Sequence, residues 1–230
     1  GGPAVAASVT EPKNIAIDRA GHLFIADSEN HVIRRVDCKT GVIVTIAGRP
    51  VEAVAREVSG GVQDDPLPMD EDDPLGGPTQ EVTSRFTQSR DVSGTVRFVT
   101  GTQVGAKRFS VDGGPAVEAQ LNFPGAVAIG EQGHVYIADT MNHRVRKVDA
   151  NSGLITTGAG TGQKRWAGDG GPAVSAALNE PTALALDQKG RLYIADQSNH
   201  RVRRLDLDTG IITTVAGTGE AGYSGDGLPA

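Results

Sequence analysis

This chain is short of several things, and each shortage excludes something. It has one cysteine, Cys38, in 230 residues, so no internal disulfide can hold it together. No apolar run approaches the roughly 20 residues that a membrane-crossing helix needs, so no membrane insertion is expected. No signal-peptide pattern is present, and the chain opens inside a repeat. Basic residues are not in excess: 22 Lys and Arg face 28 Asp and Glu, for a net charge of −6. One short run, Asp64, Asp65, Asp70, Glu71, Asp72 and Asp73, accounts for all of that excess. The remainder is neutral, which is not the basic footprint of a nucleic-acid binder. Residues 51–92 contain no Ile, Asn, His or Tyr, and their 66–78 stretch is acidic and rich in turn formers, a composition that favours disorder or an exposed loop.

Glycine, by contrast, is abundant at 31 residues, and the chain repeats itself. Asp27-x-x-Asn30-His31 returns as Asp139-x-x-Asn142-His143 and again as Asp196-x-x-Asn199-His200, at offsets of 112 and 57 residues. GGPA at 1–4 returns at 113–116 and 170–173, and as GLPA at 227–230. The chain is therefore about four periods long with one copy obscured, and a period of this length signals a repeat architecture. In the last copy four β-rich runs, 182–186, 191–195, 201–207 and 211–216, are separated by turn residues at Lys189-Gly190, Asn199-His200 and Thr209-Gly210. The second run is apolar on both faces, as in a strand whose sheet is packed between two others. Four antiparallel strands per repeat, stacked sheet on sheet, make a β-propeller blade.

The motifs P-x-x-hydrophobic-A-hydrophobic-D, G-x-LYIAD-x-x-NHRVR-x-D and TG-I-x-T-x-AG followed by GDGGPA resemble the NHL repeat, in its bacterial type, over about 1–50 and 93–230. The resemblance implies an all-β propeller, most often six-bladed in the family, of which this chain would supply an incomplete part: three clear blades plus one degenerate, an open arc or a portion of a ring. It also favours an extracellular or periplasmic setting. It implies no single activity, since NHL proteins include peptide- and RNA-binding domains, scaffolds and a metal-using lyase.

The expected organisation is a blade over 1–50, an interruption over 51–92, an outer strand and connection over 93–120, and blades over 121–177 and 178–230. The interruption reads as a degenerate blade, an acidic insertion or a sequence error, and the double spacing of 112 favours the first.

A residue present in every blade serves what every blade needs. Asp27, Asp139 and Asp196 are expected to accept backbone N–H groups of the tight turn they precede. Asn30, Asn142 and Asn199 suit a left-handed position there, and His31, His143 and His200 follow. Three identical Asp–His pairs on separate blades are read as structural rather than as metal or catalytic sites. Arg34, Arg146 and Arg203 are expected to pair with Asp or cover sheet edges. Cys38 aligns with Ala150 and Leu207 and reads as a small residue on a strand. His22 and His134 sit in turns of the opposite face.

Phe109, Trp166 and Tyr223 recur 57 residues apart in the Gly-rich connection, two of them preceded by Lys107-Arg108 and Lys164-Arg165. GTGQKRWAGDGG (160–171) resembles a phosphate loop only in glycine count, because no strand-to-helix context surrounds it. On the face holding the second-to-third turns and the long connections, the blades differ from one another. A recognition surface is expected there, from Glu29, Met141, Lys164, Arg165, Trp166 and Tyr223. The expected function is a non-catalytic binding or scaffold module, for a protein or small ligand, without cofactor or metal and without nucleic acid, with self-association through open blade faces. The rival is a metal-dependent lyase or lactonase, and an RNA-binding domain comes third.

Overall fold

The computed structural model describes residues 1–50, 86–90, 96–100, 112–223 and 226, of which 86–90 and 96–100 are described as backbone only. Among them there is no α-helix. Three antiparallel four-stranded meanders follow one plan. The first holds β2 (Pro12–Ile17), β3 (Leu23–Asp27), β4 (Val32–Val36) and β5 (Val42–Ala47), with the short β1 (Gly2–Pro3) added outside β5. A separate hairpin pairs β6 (Phe86–Arg90) with β7 (Val96–Thr100). It belongs to another compact unit and is described by itself. The second meander holds β8 (Pro124–Ile129), β9 (Val135–Asp139), β10 (Arg144–Val148) and β11 (Ile155–Ala159). The third holds β12 (Pro181–Leu186), β13 (Arg191–Asp196), β14 (Arg201–Asp206) and β15 (Ile212–Ala216), each within about one residue of the run expected from sequence.

These are the blades of an incomplete β-propeller. The first strands of the three meanders pack side by side, β8 between β2 and β12. The middle blade is covered on both faces, and every residue of β9 is buried. One core joins Phe24, Ala26 and Ile33 of the first blade to Val127, Val135 and Ile137 of the second. The other joins Ala128, Tyr136 and Val145 to Leu192, Ile194 and Leu205 of the third. Alternation with period two places these two sets on opposite faces of one sheet.

The first and second blades are neighbours although 76 residues lie between β5 and β8 in sequence. Gly48 N–H donates to the Ala116 carbonyl and Arg49 N–H to that of Ala119, at 2.9 and 3.1 Å. The same two bonds recur at the next seam, from Gly160 to Ala173 and from Thr161 to Ala176, at 3.0 and 2.8 Å. Within the unit that holds the three meanders, no other described strand lies between β2 and β8. Apart from β6, residues 51–92 lie outside the described residues.

Each GGPA turn hooks over the outer edge of the blade it precedes. Ala4, Ala116 and Ala173 donate their N–H groups to Gly41, Gly153 and Gly210, at 2.8, 2.9 and 2.8 Å. Cys38 is not on a strand. It lies exposed in the turn after β4, where its thiol reaches the Ala20 carbonyl.

Candidate functional site

The repeated Asp, Asn, His and Arg residues make hydrogen bonds and ion pairs within and between the blades. Asp27, Asp139 and Asp196 are fully buried. Their Oδ1 atoms accept N–H bonds from Thr10, Asn122 and Asn179 at 2.8, 2.7 and 2.7 Å, each donor 17 residues upstream. The donor is thus the chain approaching the innermost strand, not the tight turn expected from sequence. Asn30, Asn142 and Asn199 donate their amides to the same aspartates at 2.9, 2.9 and 2.8 Å. The left-handed residue is the histidine rather than the asparagine: His31, His143 and His200 have φ of 57°, 53° and 51°.

That backbone geometry turns the imidazole toward the next blade. His31 Nδ1 accepts the Phe123 N–H at 2.9 Å, and His143 Nδ1 accepts the Glu180 N–H at 3.1 Å. An acceptor at Nδ1 leaves the ring proton on Nε2 in the neutral form. Glu11, Phe123 and Glu180 all have positive φ, 47°, 48° and 54°, and at Phe123 and Glu180 this presents the donor N–H at the seam. The side chains of Phe123 and Glu180 differ, yet their N–H groups make the same bond between blades. The His–Phe123 ring contact, edge-on at 4.6 Å, adds to the first seam.

Arginine completes the arrangement. Arg146 and Arg203 are fully buried. Each lies near its own blade's aspartate, at 3.8 Å from Asp139 and 3.4 Å from Asp196. Each also pairs with the Asp of the preceding connection, Arg146 with Asp112 at 2.9 Å and Arg203 with Asp169 at 2.6 Å. A bulge falls at the arginine in all three blades, and bulges re-aim side chains. Arg34 instead donates to the Ser8 carbonyl at 2.7 Å, with Asp27 at 3.7 Å.

Burial pushes the Asp139 carboxyl up to about 6, against the opposing hydrogen bonds from Asn142 and the Asn122 N–H and the charge of Arg146. A group whose folded value lies above its unfolded value near 3.9 stabilises the fold when protonated. Its contribution is fully present below about 4 and is lost as pH rises through about 6, at no more than about 1.4 kcal/mol per pH unit. The turn aspartates run the other way. Backbone N–H donors, from Thr40 to Asp37, from Ser152 to Asp149 and from Thr209 to Asp206, hold these carboxyls below their ordinary value, and that stability goes below about 4. Maximum stability is therefore expected between about 4 and about 6. Calorimetric Tm should rise from pH 7 to pH 5, and Asp139→Asn should abolish that rise.

His22 and His134 also have partners: their Nδ1 atoms accept the N–H groups of Cys38 and Ala150 at 3.2 and 3.1 Å. On their face, the C-terminal ends of β2, β8 and β12 surround a depression of about 250 Å³, bordered by Ile17, Ile129 and Leu186. Sequence reasoning missed it, because it exists only once three blades converge. An exposed pair, Arg19 with Glu131 at 2.6 Å, links two of its walls. The carboxylates at its rim are engaged: Asp18 accepts the Ala20 and His22 N–H groups, and Asp187 accepts those of Lys189 and Arg191. Among the described residues no cluster of three or more His, Cys, Asp or Glu is placed to hold a metal.

The opposite face carries the candidate recognition residues, and all six are exposed. Glu29 and Met141 stand on equivalent turns of two blades, each turn tied by its backbone N–H to the approach of the innermost strand. Lys164, Arg165 and Trp166 form one group beside the third blade. Asn199 donates to the Arg165 carbonyl at 3.0 Å. The Arg201 guanidinium lies 4.3 Å from the Trp166 ring centroid while its Nη2 donates to the Thr218 carbonyl at 2.6 Å. Trp166 remains 44% exposed. Tyr223, one period on, bonds Asp226 instead. Phe109 and Lys107-Arg108 lie outside the described residues. Arg201 was not legible as part of this group, because its approach to Trp166 depends on how the connection folds over the next blade.

A family model described as NHL repeat matches residues 121–148, and one described as Teneurin NHL domain matches 160–226. The chain is 34% identical over 103 residues to Protein SUPPRESSOR OF QUENCHING 1, chloroplastic, of Arabidopsis thaliana, covering 45% of this chain and 10% of that protein. It is 24% identical over 295 residues to NHL repeat-containing protein 2 of Gallus gallus, covering 90% of this chain and 40% of that protein. Among solved structures, an auxiliary nutrient binding protein from Bacteroides ovatus is similar at a TM-score of 0.38 and 21% identity, over 90% of this chain and 49% of that one. The chain spans less than half the length of each of these relatives.

Proposed function

Because this chain belongs to the NHL-repeat proteins, we propose that it is a non-catalytic propeller segment that binds a protein or small ligand through its loop face. One observation carries the reading: the polar residues common to the blades are spent on holding blades together, while the residues that differ between blades are exposed on one side. Of these, Trp166 is the best anchor. It lies 4.3 Å from the Arg201 guanidinium yet is 44% exposed, and Lys164 and Arg165 precede it with positive charge. Aromatic and Arg side chains of this kind supply most of the binding energy in interfaces. The chemistry favours a ligand with an anionic group beside an apolar one, such as an acidic peptide segment.

Trp166 is the sole tryptophan, so its emission reports on this surface directly. Peptides selected against the protein from a displayed library should quench or shift that emission. Trp166→Ala should weaken them by about 2 kcal/mol or more, some thirtyfold. Selected peptides that leave the emission unchanged and bind the variant as tightly would refute the assignment.

We also propose that the first and second described blades are consecutive in the propeller. Support comes from the first seam, whose bonds from Gly48 and Arg49 match those from Gly160 and Thr161.

A further inference from the structure

The Trp166 group differs from its own repeat, and the difference is one of charge. One period on, Tyr223 follows Ala221-Gly222 and bonds Asp226, whereas Trp166 follows Lys164-Arg165 and lies against Arg201. Lys164 and Arg165 are exposed. Among the described residues, neither they nor Arg201 form an ion pair with a carboxylate. Three cations without a counter-charge thus stand beside one exposed aromatic ring, in a chain whose net charge is −6.

The group is also fixed in place. Asn199, buried and bonded to Asp196 at 2.8 Å, donates to the Arg165 carbonyl at 3.0 Å. The Ala167 carbonyl accepts the Ala177 N–H at 3.2 Å, so the backbone is held on both sides of Trp166. The Arg201 guanidinium donates to the Asn199 and Thr218 carbonyls at 3.2 and 2.6 Å. It also lies so close to Gly219 that a Cβ added there would run into it. Held in this way, it covers one face of the Trp166 ring. A ligand meets what remains of the ring, and little of the site is left to be ordered on binding.

We infer that this group selects an aromatic side chain flanked by carboxylates, as in an acidic peptide carrying tyrosine, and that Arg201 helps to set that selectivity. The inference rests on the reading that the loop face binds a ligand, and deepens it. A fixed ring offers offset or edge-on stacking, which adds to plain area burial and which an aliphatic side chain lacks. Carboxylates beside the anchor meet the three cations, and bonds between charged groups are the strong ones. A lysine or quaternary ammonium, which a bare tryptophan face attracts, here meets Arg201 behind the ring and two further cations beside it. Single-stranded nucleic acid also combines stacking with negative charge, but it needs a positive groove along its backbone, and outside the acidic run at 64–73 the chain is neutral.

The test follows Trp166 emission during titration with acetyl-Glu-Glu-Tyr-Glu-Glu-amide and three relatives: leucine for the tyrosine, glutamine for every glutamate, and lysine for every glutamate. The parent peptide should bind about fivefold more tightly than the leucine one. It should bind about tenfold more tightly than the glutamine one, and the lysine one should not bind. Arg201→Met keeps apolar contact with the ring but removes the charge, so the ratio of glutamate to glutamine affinities should fall about threefold. A residue that only supported the ring would weaken both peptides alike and leave that ratio unchanged. Lys164→Gln with Arg165→Gln, both at exposed sites, should also lower it. Equal affinity for the parent, leucine and glutamine peptides, a ratio unchanged in the folded variants, or tighter binding of oligo(dT) than of any peptide would overturn the inference. Peptide binding that still depends on Trp166 would leave the loop-face reading standing in the first two cases. No change of emission with any of these peptides, or with those selected from a library, would overturn both.

Discussion

Replacing Arg146 with methionine should lower the unfolding free energy by about 3–5 kcal/mol, the usual result of removing one partner of a buried ion pair. The guanidinium is fully buried, 2.9 Å from Asp112 and 3.8 Å from a fully buried Asp139. Methionine fills much of the volume but leaves the Asp139 carboxylate in a low-dielectric site supported by a hydrogen-bonded amide, one N–H and the charge of Arg144. The carboxyl should then hold its proton to a higher pH than its present value of about 6. Single-domain proteins are stable by about 5–15 kcal/mol, so this is a large fraction. Urea denaturation of the variant measures it. The comparison is Arg19→Met, which breaks a pair at 76% and 56% side-chain exposure and should cost under about 1 kcal/mol. Similar losses from both would mean that the buried arginine is not the pin of its blade.

Gly160→Ala should lose about 3 kcal/mol or more, from left-handed strain of about 1–3 kcal/mol and a backbone clash on top of it. Gly160 has φ of +96°, and an added Cβ would stand 2.6 Å from the His143 carbonyl oxygen and 3.1 Å from the Arg144 Cα. Neither is the end of a flexible side chain, so the seam itself must shift. It would carry with it the bonds from Gly160 to Ala173 and from Thr161 to Ala176. Gly153→Ala separates the two causes. Its φ is +69° with open space around the added carbon, so it carries strain alone and should cost about 1–2 kcal/mol. Urea midpoints of the pair decide this, and equal losses would remove the clash from the account.

Much of the fold was legible because the information is local and repeated. Alternating apolar residues with turn formers between them set out β12 to β15 almost residue by residue, and three copies in register made the blade unmistakable. Repetition alone argued for a structural reading of the repeated Asp, Asn, His and Arg. It did not give their partners. Asp139 bonds a residue 17 positions back, Arg146 one 34 positions back, and His143 one 37 positions ahead in the next blade. The left-handed residue went to histidine instead of asparagine because the turn must aim an acceptor across the seam, a demand that a single blade does not make.

The candidate recognition surface divides in the same way. Trp166 with its basic neighbours stood out in the sequence as a periodic aromatic in a polar connection, whereas Arg201 joined it only through the packing of that connection on the third blade. What the sequence by itself determined is the blade, since strand, turn and repeat depend on neighbours along the chain. What only the tertiary structure decided is the seam: which blade follows which, where His31 finds its donor 92 residues away, and which apolar faces meet there. Those depend on sheets stacking in space, and stacking brings together residues whose separation along the chain no local pattern encodes.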